Sequence, residues 1–98
     1  MLNSIVLVGR LTTDPEVTSE NGKKVSAVTI AVPRSFKYAD GGCETDFIKC
    51  ILWNNIAVNT VEYCHKGDLV GIKGRLQESN KEVEVIAEKI TFLSTKQG

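Results

Sequence analysis

A chain of 98 residues is the size of one domain with a modest core. Its 42% apolar and 24% charged content is that of a soluble globular protein, and no apolar run approaches the roughly 18 residues of a membrane helix. The 12 basic and 12 acidic residues cancel, so the chain lacks the net positive field common in nucleic-acid binders, although a local stripe of cations can still track a charged backbone.

The opening MLNSIVLVGR has neither a basic n-region nor a cleavage site, which predicts a cytoplasmic protein with no membrane partner. Residues 4–12 are β-branched and apolar and predict a first strand. Gly9 within it marks a bulge or a barrel corner. Asp14-Pro15 breaks the strand, because proline lacks the ladder donor, and Asn21-Gly22 is a strong turn dipeptide. Residues 23–33 alternate as a second strand closed by Pro33. Arg34-Ser35-Phe36-Lys37-Tyr38 sets two rings among cations before the turn Asp40-Gly41-Gly42. With a third strand over 44–53 this reads as a long hairpin.

The third strand is the most informative stretch. Its period of two puts Ile48, Cys50 and Leu52 on one apolar face, and Phe47, Lys49, Ile51 and Trp53 on the other. Two rings bracketing a lysine fit a stacking platform for unpaired bases with a cation for phosphate. They fit equally a second buried face, or a subunit contact with Trp53 as its anchor. The period then changes: Ala57, Val61 and Cys64 recur at helical spacing, with Asn54 or Asn55 as cap and Lys66-Gly67 as the close. Residues 69–76 predict a fourth strand, Ser79-Asn80-Lys81 a short polar turn and 83–93 a last strand, with 94–98 frayed. The order β-β-β-α-β-β, with five strands, one short helix and glycines at bends, predicts a single all-β domain, a five-stranded OB-fold Greek-key barrel with its helix between strands 3 and 4.

Cys43, Cys50, Cys64 and His65 do not make a metal set, since six and thirteen residues separate the cysteines and zinc sites show close ligand pairs. Adjacent Cys64 and His65 point to different sides of a helix end, which denies them a nucleophile–base geometry. Cys50 and Cys64 sit where cysteine acts as a small hydrophobe, and Tyr63 is expected to pack the helix on the barrel. No phosphate loop, carboxylate pair or nucleophile elbow is present, so neither a catalytic site nor a cofactor is expected.

The chain resembles the bacterial single-stranded DNA-binding proteins. The resemblance runs through Leu2-Asn3, Val6-Leu7-Val8-Gly9-Arg10-Leu11, Thr13-Asp14-Pro15-Glu16, Asn21-Gly22, Val28-Thr29-Ile30-Ala31-Val32 and Asp46-Phe47-Ile48-Lys49-Cys50 to Trp53. It continues through Ala57, Val61, Tyr63, Lys66-Gly67-Asp68-Leu69-Val70, Gly74-Arg75-Leu76-Gln77, Glu84-Val85, Ala87-Glu88 and Phe92-Leu93. It implies an OB-fold that binds single-stranded DNA with little sequence preference in replication, recombination or repair, at the nucleoid of a bacterial cytoplasm. It also implies a homotetramer, with a dimer as the alternative; an apolar first strand leaves an edge suited to pairing with a copy of itself. Phe36, Phe47 and Trp53 carry over as stacking rings. Arg10, Arg34, Lys49, Lys73 and Arg75 carry over as phosphate contacts, with a salt slope of about −0.7 per contact.

Two departures stand out. The arm between the fourth and fifth strands, which in the family bears another ring, is cut short at Ser79-Asn80-Lys81. The acidic, aromatic tip through which family members recruit repair partners has no match before Gly98, so tail-mediated partners are not expected. Two other readings remain: a protein-interaction OB-fold in a replication or primosome assembly, and an enzyme or metal protein using its thiols.

Overall fold

The computed structural model describes residues 1–34, 41–42 and 44–94. Its elements are β1 (Ile5–Leu11), β2 (Thr18–Glu20), β3 (Lys23–Pro33), β4 (Thr45–Trp53), α1 (Asn54–Tyr63), β5 (Leu69–Ser79) and β6 (Glu82–Ser94). The strands pair in the order β1-β5-β6-β4-β3-β2, and a further β1–β3 pairing closes five of them into a ring. Every pairing is antiparallel except β4 with β6, which run parallel through Cys50↔Val85 and Ile51↔Ile86. A closed five-strand ring with one helix between β4 and β5 is the OB-fold barrel that the sequence predicts.

Alternation drives the closure. The inward residues of each strand, among them Val28 and Ile30 on β3, Cys50 and Leu52 on β4, Val70 and Ile72 on β5 and Val85 on β6, merge into one buried cluster. Ile48, expected on the same face as Cys50 and Leu52, is partly buried at its edge. The helix caps the cluster, burying Ala57 and Thr60 against β3 and β4. Thr60 is accommodated there because its hydroxyl donates to the Ile56 carbonyl at 2.8 Å. Tyr63 leans its ring toward Phe92, with centroids 6.1 Å apart, while staying exposed.

Several local expectations need correction. The three-residue β2 is an additional strand. It is polar and exposed throughout, so no apolar pattern announces it; the Asn21-Gly22 turn folds it onto β3 through Thr18↔Val25 and Glu20↔Lys23. β5 runs on to Ser79 and β6 starts at Glu82, so the turn between them shrinks to Asn80-Lys81, both at positive φ (50° and 68°). That geometry matches the right-handed twist of the strands it joins. Neither Asn54 nor Asn55 caps the helix: Trp53 holds the N-cap position without a side-chain hydrogen bond, and Asn54 has φ 53°. Gly67 is left-handed as expected (φ 93°), but in the turn beyond the helix end, where its N–H donates to the Leu11 carbonyl at 2.8 Å.

Ring closure depends on two glycines. A Cβ on Gly9 would lie 2.6 Å from the Ala31 carbonyl oxygen, at the point where β1 passes from β5 to β3, so the bend expected there is a close backbone approach. A Cβ on Gly74 would run into the Ile86 carbonyl, beside the register shift between Lys73 and Gly74. Gly71 differs, since its Cβ would meet nothing nearer than Leu93 Cδ1 at 3.6 Å, an ordinary van der Waals contact.

Two expected outcomes follow from this packing. Gly74→Ala should lower urea-unfolding stability by about 1–3 kcal/mol through overpacking against backbone, whereas Gly71→Ala should stay within about 0.5 kcal/mol of the parent. Equal effects would contradict the close approach at Gly74. The buried thiols give a second test. Burial pushes Cys50 up to about 11, and burial together with the Asp68 carboxylate pushes Cys64 up as well. At pH 8 the thiolate, which is the reactive form, is therefore scarce at both. Iodoacetamide should leave Cys50 and Cys64 unmodified in native protein and label both in urea, as read by peptide mass mapping.

Candidate nucleic-acid interface

The outside of the barrel over β3, β4 and β6 can be built row by row from the pairing register. Arg10, Ala31 and Phe47 lie in one row across β1, β3 and β4. Next come Thr29 and Lys49, continued by Glu84 and Gln77 on β6 and β5. The third row is Ala27, Ile51, Ile86 and Arg75, and the fourth is Thr18, Val25 and Trp53. Small side chains on β3 (Ala27, Thr29 and Ala31) stand beside Ile51, Lys49 and Phe47 on β4, so the flank of the Phe47 ring stays open. Phe47 is 68% exposed. Six residues along one strand separate Phe47 from Trp53 by about 20 Å, so the two rings serve different bases.

Trp53 does not stand free. Val25, Ile51 and Ile86 are buried outside the barrel core as a second apolar cluster, and Trp53 packs against it. The cluster forms the floor of a groove of about 380 Å³ lined also by Thr18, Glu20, Lys49, Gln77, Ser79 and Glu84. Both readings of this face, exposed platform and partly buried surface, are thus realised: Phe47 is open, Ile51 is covered and Trp53 lies between.

The expected cations separate into distinct settings. Arg34 grips Asp46 bidentately, with Nη2 to Oδ1 at 2.8 Å and Nε to Oδ2 at 3.1 Å, and reaches Glu44 at 3.6 Å. That hydrogen bond raises the Arg34 pKa and holds the Asp46 carboxyl below its ordinary range. All three side chains are over 40% exposed, so the set remains open to water and to competing anions. Lys49 Nζ lies 3.1 Å from Glu84 Oε2, and here the carboxylate is embedded, its side chain only 14% exposed. Arg75 Nη1 donates to Gln77 Oε1 at 2.8 Å on the groove wall. Arg10 Nη1 donates to the Gly67 carbonyl at 2.9 Å and lines a separate cavity with Val8, Ala31, Pro33 and Leu69.

Lys73 is brought to none of these. It pairs with Val6 on one side and with Lys89 on the other, on the outer face of β1, β5 and β6. Exposed Val6, Val8 and Leu93 share that face. Phe36 lies outside the described residues, as do Lys37, Tyr38 and Cys43. Sequence reasoning does not single out Glu84 and Gln77 as groove residues. Only the parallel β4–β6 contact sets Glu84 beside Lys49, and nothing local in the chain encodes that contact.

The sequence pattern of the single-strand binding protein family matches residues 2–93. Single-stranded DNA-binding protein B of Bacillus subtilis (strain 168) is 43% identical over 98% of this chain and 94% of its own length. Single-stranded DNA-binding protein A of the same strain is 44% identical over the whole of this chain and 63% of its own length, and that of Lactiplantibacillus plantarum is 42% identical over 98% and 53%. The alignment with protein A of Bacillus subtilis runs to 108 positions against 98 residues here, so at least ten of its positions have no counterpart in this chain.

Proposed function

Because the chain belongs to the single-strand binding protein family, we propose that it binds single-stranded DNA with little sequence preference, in replication, recombination and repair. The observation that carries the reading is the placement of Phe47 and Trp53 on one face of the barrel, Phe47 exposed beside Ala31 and Trp53 half-buried at the edge of the groove. Duplex bases are already stacked on one another; unpaired bases are free to stack on these rings, and every base has a face to offer. Phe36 serves as a third ring on this reading, by its sequence match alone.

Phosphates follow the rim. Arg34, Arg75 and Arg10 border the platform, and each is held by an exposed carboxylate, an amide or a carbonyl that water or phosphate can replace. Exposed ion pairs contribute little and exchange readily. Lys73 belongs to a different surface. There Val6, 69% exposed, together with Val8 and Leu93 supports self-association of the β1-β5-β6 face into a homotetramer, or a dimer as its smaller form. In a bacterium such an assembly works at the nucleoid, in the cytoplasm.

The single tryptophan supplies the test. Titration with poly(dT) at low salt should quench Trp53 fluorescence, and added salt should relieve the quenching. Phe47→Ala, at an exposed position, should keep the fold by circular dichroism and weaken binding about tenfold, a stacked base being worth about 1–3 kcal/mol. Absence of any binding at low salt would overturn the reading and leave a barrel kept for its protein contacts.

A further inference from the structure

The groove next to the rings carries the wrong charge for a phosphate channel. Among the described residues its charged lining consists of one ammonium, Lys49, and two carboxylates, Glu20 and Glu84. Lys49 stands on the strand that bears both rings, where a cation is expected to meet the DNA backbone. It is already satisfied, at 3.1 Å, by a carboxylate that belongs to the protein.

The two ion pairs of this surface differ in what their loss would leave behind. If phosphate takes Arg34, then Asp46 and Glu44 are released at nearly half exposure, where water solvates them. If phosphate takes Lys49, Glu84 is stranded with its side chain only 14% exposed, close to the apolar cluster of Val25, Ile51 and Ile86. An embedded carboxylate without a partner is strongly unfavourable, and an incoming phosphate would add like-charge repulsion. Exchange is tolerable at Arg34 and opposed at Lys49.

We infer that Glu84 is a specificity-determining residue of the groove: it holds Lys49 as an internal ion pair, withdraws it from phosphate neutralisation, and so reserves the groove for bases while the phosphates run along the rim. The floor beneath is apolar and the pair itself is neutral, which suits an uncharged, flat base better than a phosphodiester. The inference rests on the reading of this face as a single-stranded DNA site, and it goes against the expectation that Lys49 is a phosphate contact.

Salt dependence separates the alternatives, since each phosphate neutralised adds about −0.7 to the slope of log K against log salt on single strands. The measurement is a poly(dT) salt titration of the native protein, Lys49→Gln, Glu84→Gln and the double variant, each first checked for fold by circular dichroism. The expected result is a slope unchanged in Lys49→Gln, steeper by about 0.7 in Glu84→Gln, where the freed ammonium gains a phosphate, and restored to the native value in the double variant. A slope shallower by about 0.7 in Lys49→Gln would overturn the inference, because Lys49 would then be a phosphate contact already. An unchanged slope in Glu84→Gln would overturn it too. Lys49→Gln leaves Glu84 an amide in place of the ammonium, and it decides the matter alone if it folds and the Glu84 variants do not. Failure of the native protein to bind poly(dT) at all would instead sink the reading of the face as a DNA site, a distinguishable outcome.

Discussion

The short parallel contact between β4 and β6 is the constraint on which the rest of this structure depends. The β2–β3, β3–β4 and β5–β6 pairings join neighbouring segments, while β1 reaches β5 across most of the chain. Cys50↔Val85 and Ile51↔Ile86 join the β2–β4 segment to the β5–β6 hairpin, and with β1 paired to both β5 and β3 the sheet becomes a ring. Closure requires backbones to approach within the space of a missing Cβ at Gly9 and Gly74. Inside, it gathers the alternating apolar residues of all five strands into one core. Outside, it brings Ile86 onto Ile51 and Glu84 onto Lys49, so one contact fixes both the floor of the groove and its electrostatics.

What the chain states locally, it states well. Period-two alternation places Cys50 and Leu52 inward and Phe47 and Lys49 outward, and helical spacing places Ala57 and Cys64 in the core. Asn21-Gly22 forms its turn, and Gly9 marks the corner it appears to mark in sequence. The unread features have identifiable causes. β2 is three polar residues held only by the turn that precedes β3. The helix starts without the asparagine cap because the chain leaves β4 at extended Trp53 and turns at once into the helix. Arg75 has its partner Gln77 two residues on, but the settings of Arg10, Arg34 and Lys49 are a matter of partners 10 or more residues away, and a pattern of charges along one strand does not contain that information.

The neutral composition also takes on a sharper meaning. A balance of acidic and basic residues gives no net attraction for a polyanion, yet on this surface the carboxylates are not spread at random. Asp46 and Glu44 sit with Arg34, and Glu84 sits with Lys49, so both cations are held in place by carboxylates of the protein itself. The two sets differ in burial, and burial determines which cation can be exchanged. On the reading proposed above, the attraction for single strands comes more from stacking on Phe47 and Trp53 than from a strong positive field, which suits a protein that must discriminate flexible, unpaired strands from duplex.

The two-residue turn at Asn80-Lys81 has a consequence for how the barrel can vary. Both flanking strands hold their ladder up to Ser79↔Glu82, and Gln77 and Ser79 on this hairpin line the groove. The tip therefore lies beyond the ring, at the groove's wall, where added residues disturb neither the core nor the glycine contacts. Chain length is thus a free variable at this point, and any segment spliced into the tip is delivered to the edge of the aromatic face. A barrel built this way can be fitted with a longer reach, a reporter or a second recognition element without redesign of the part that folds.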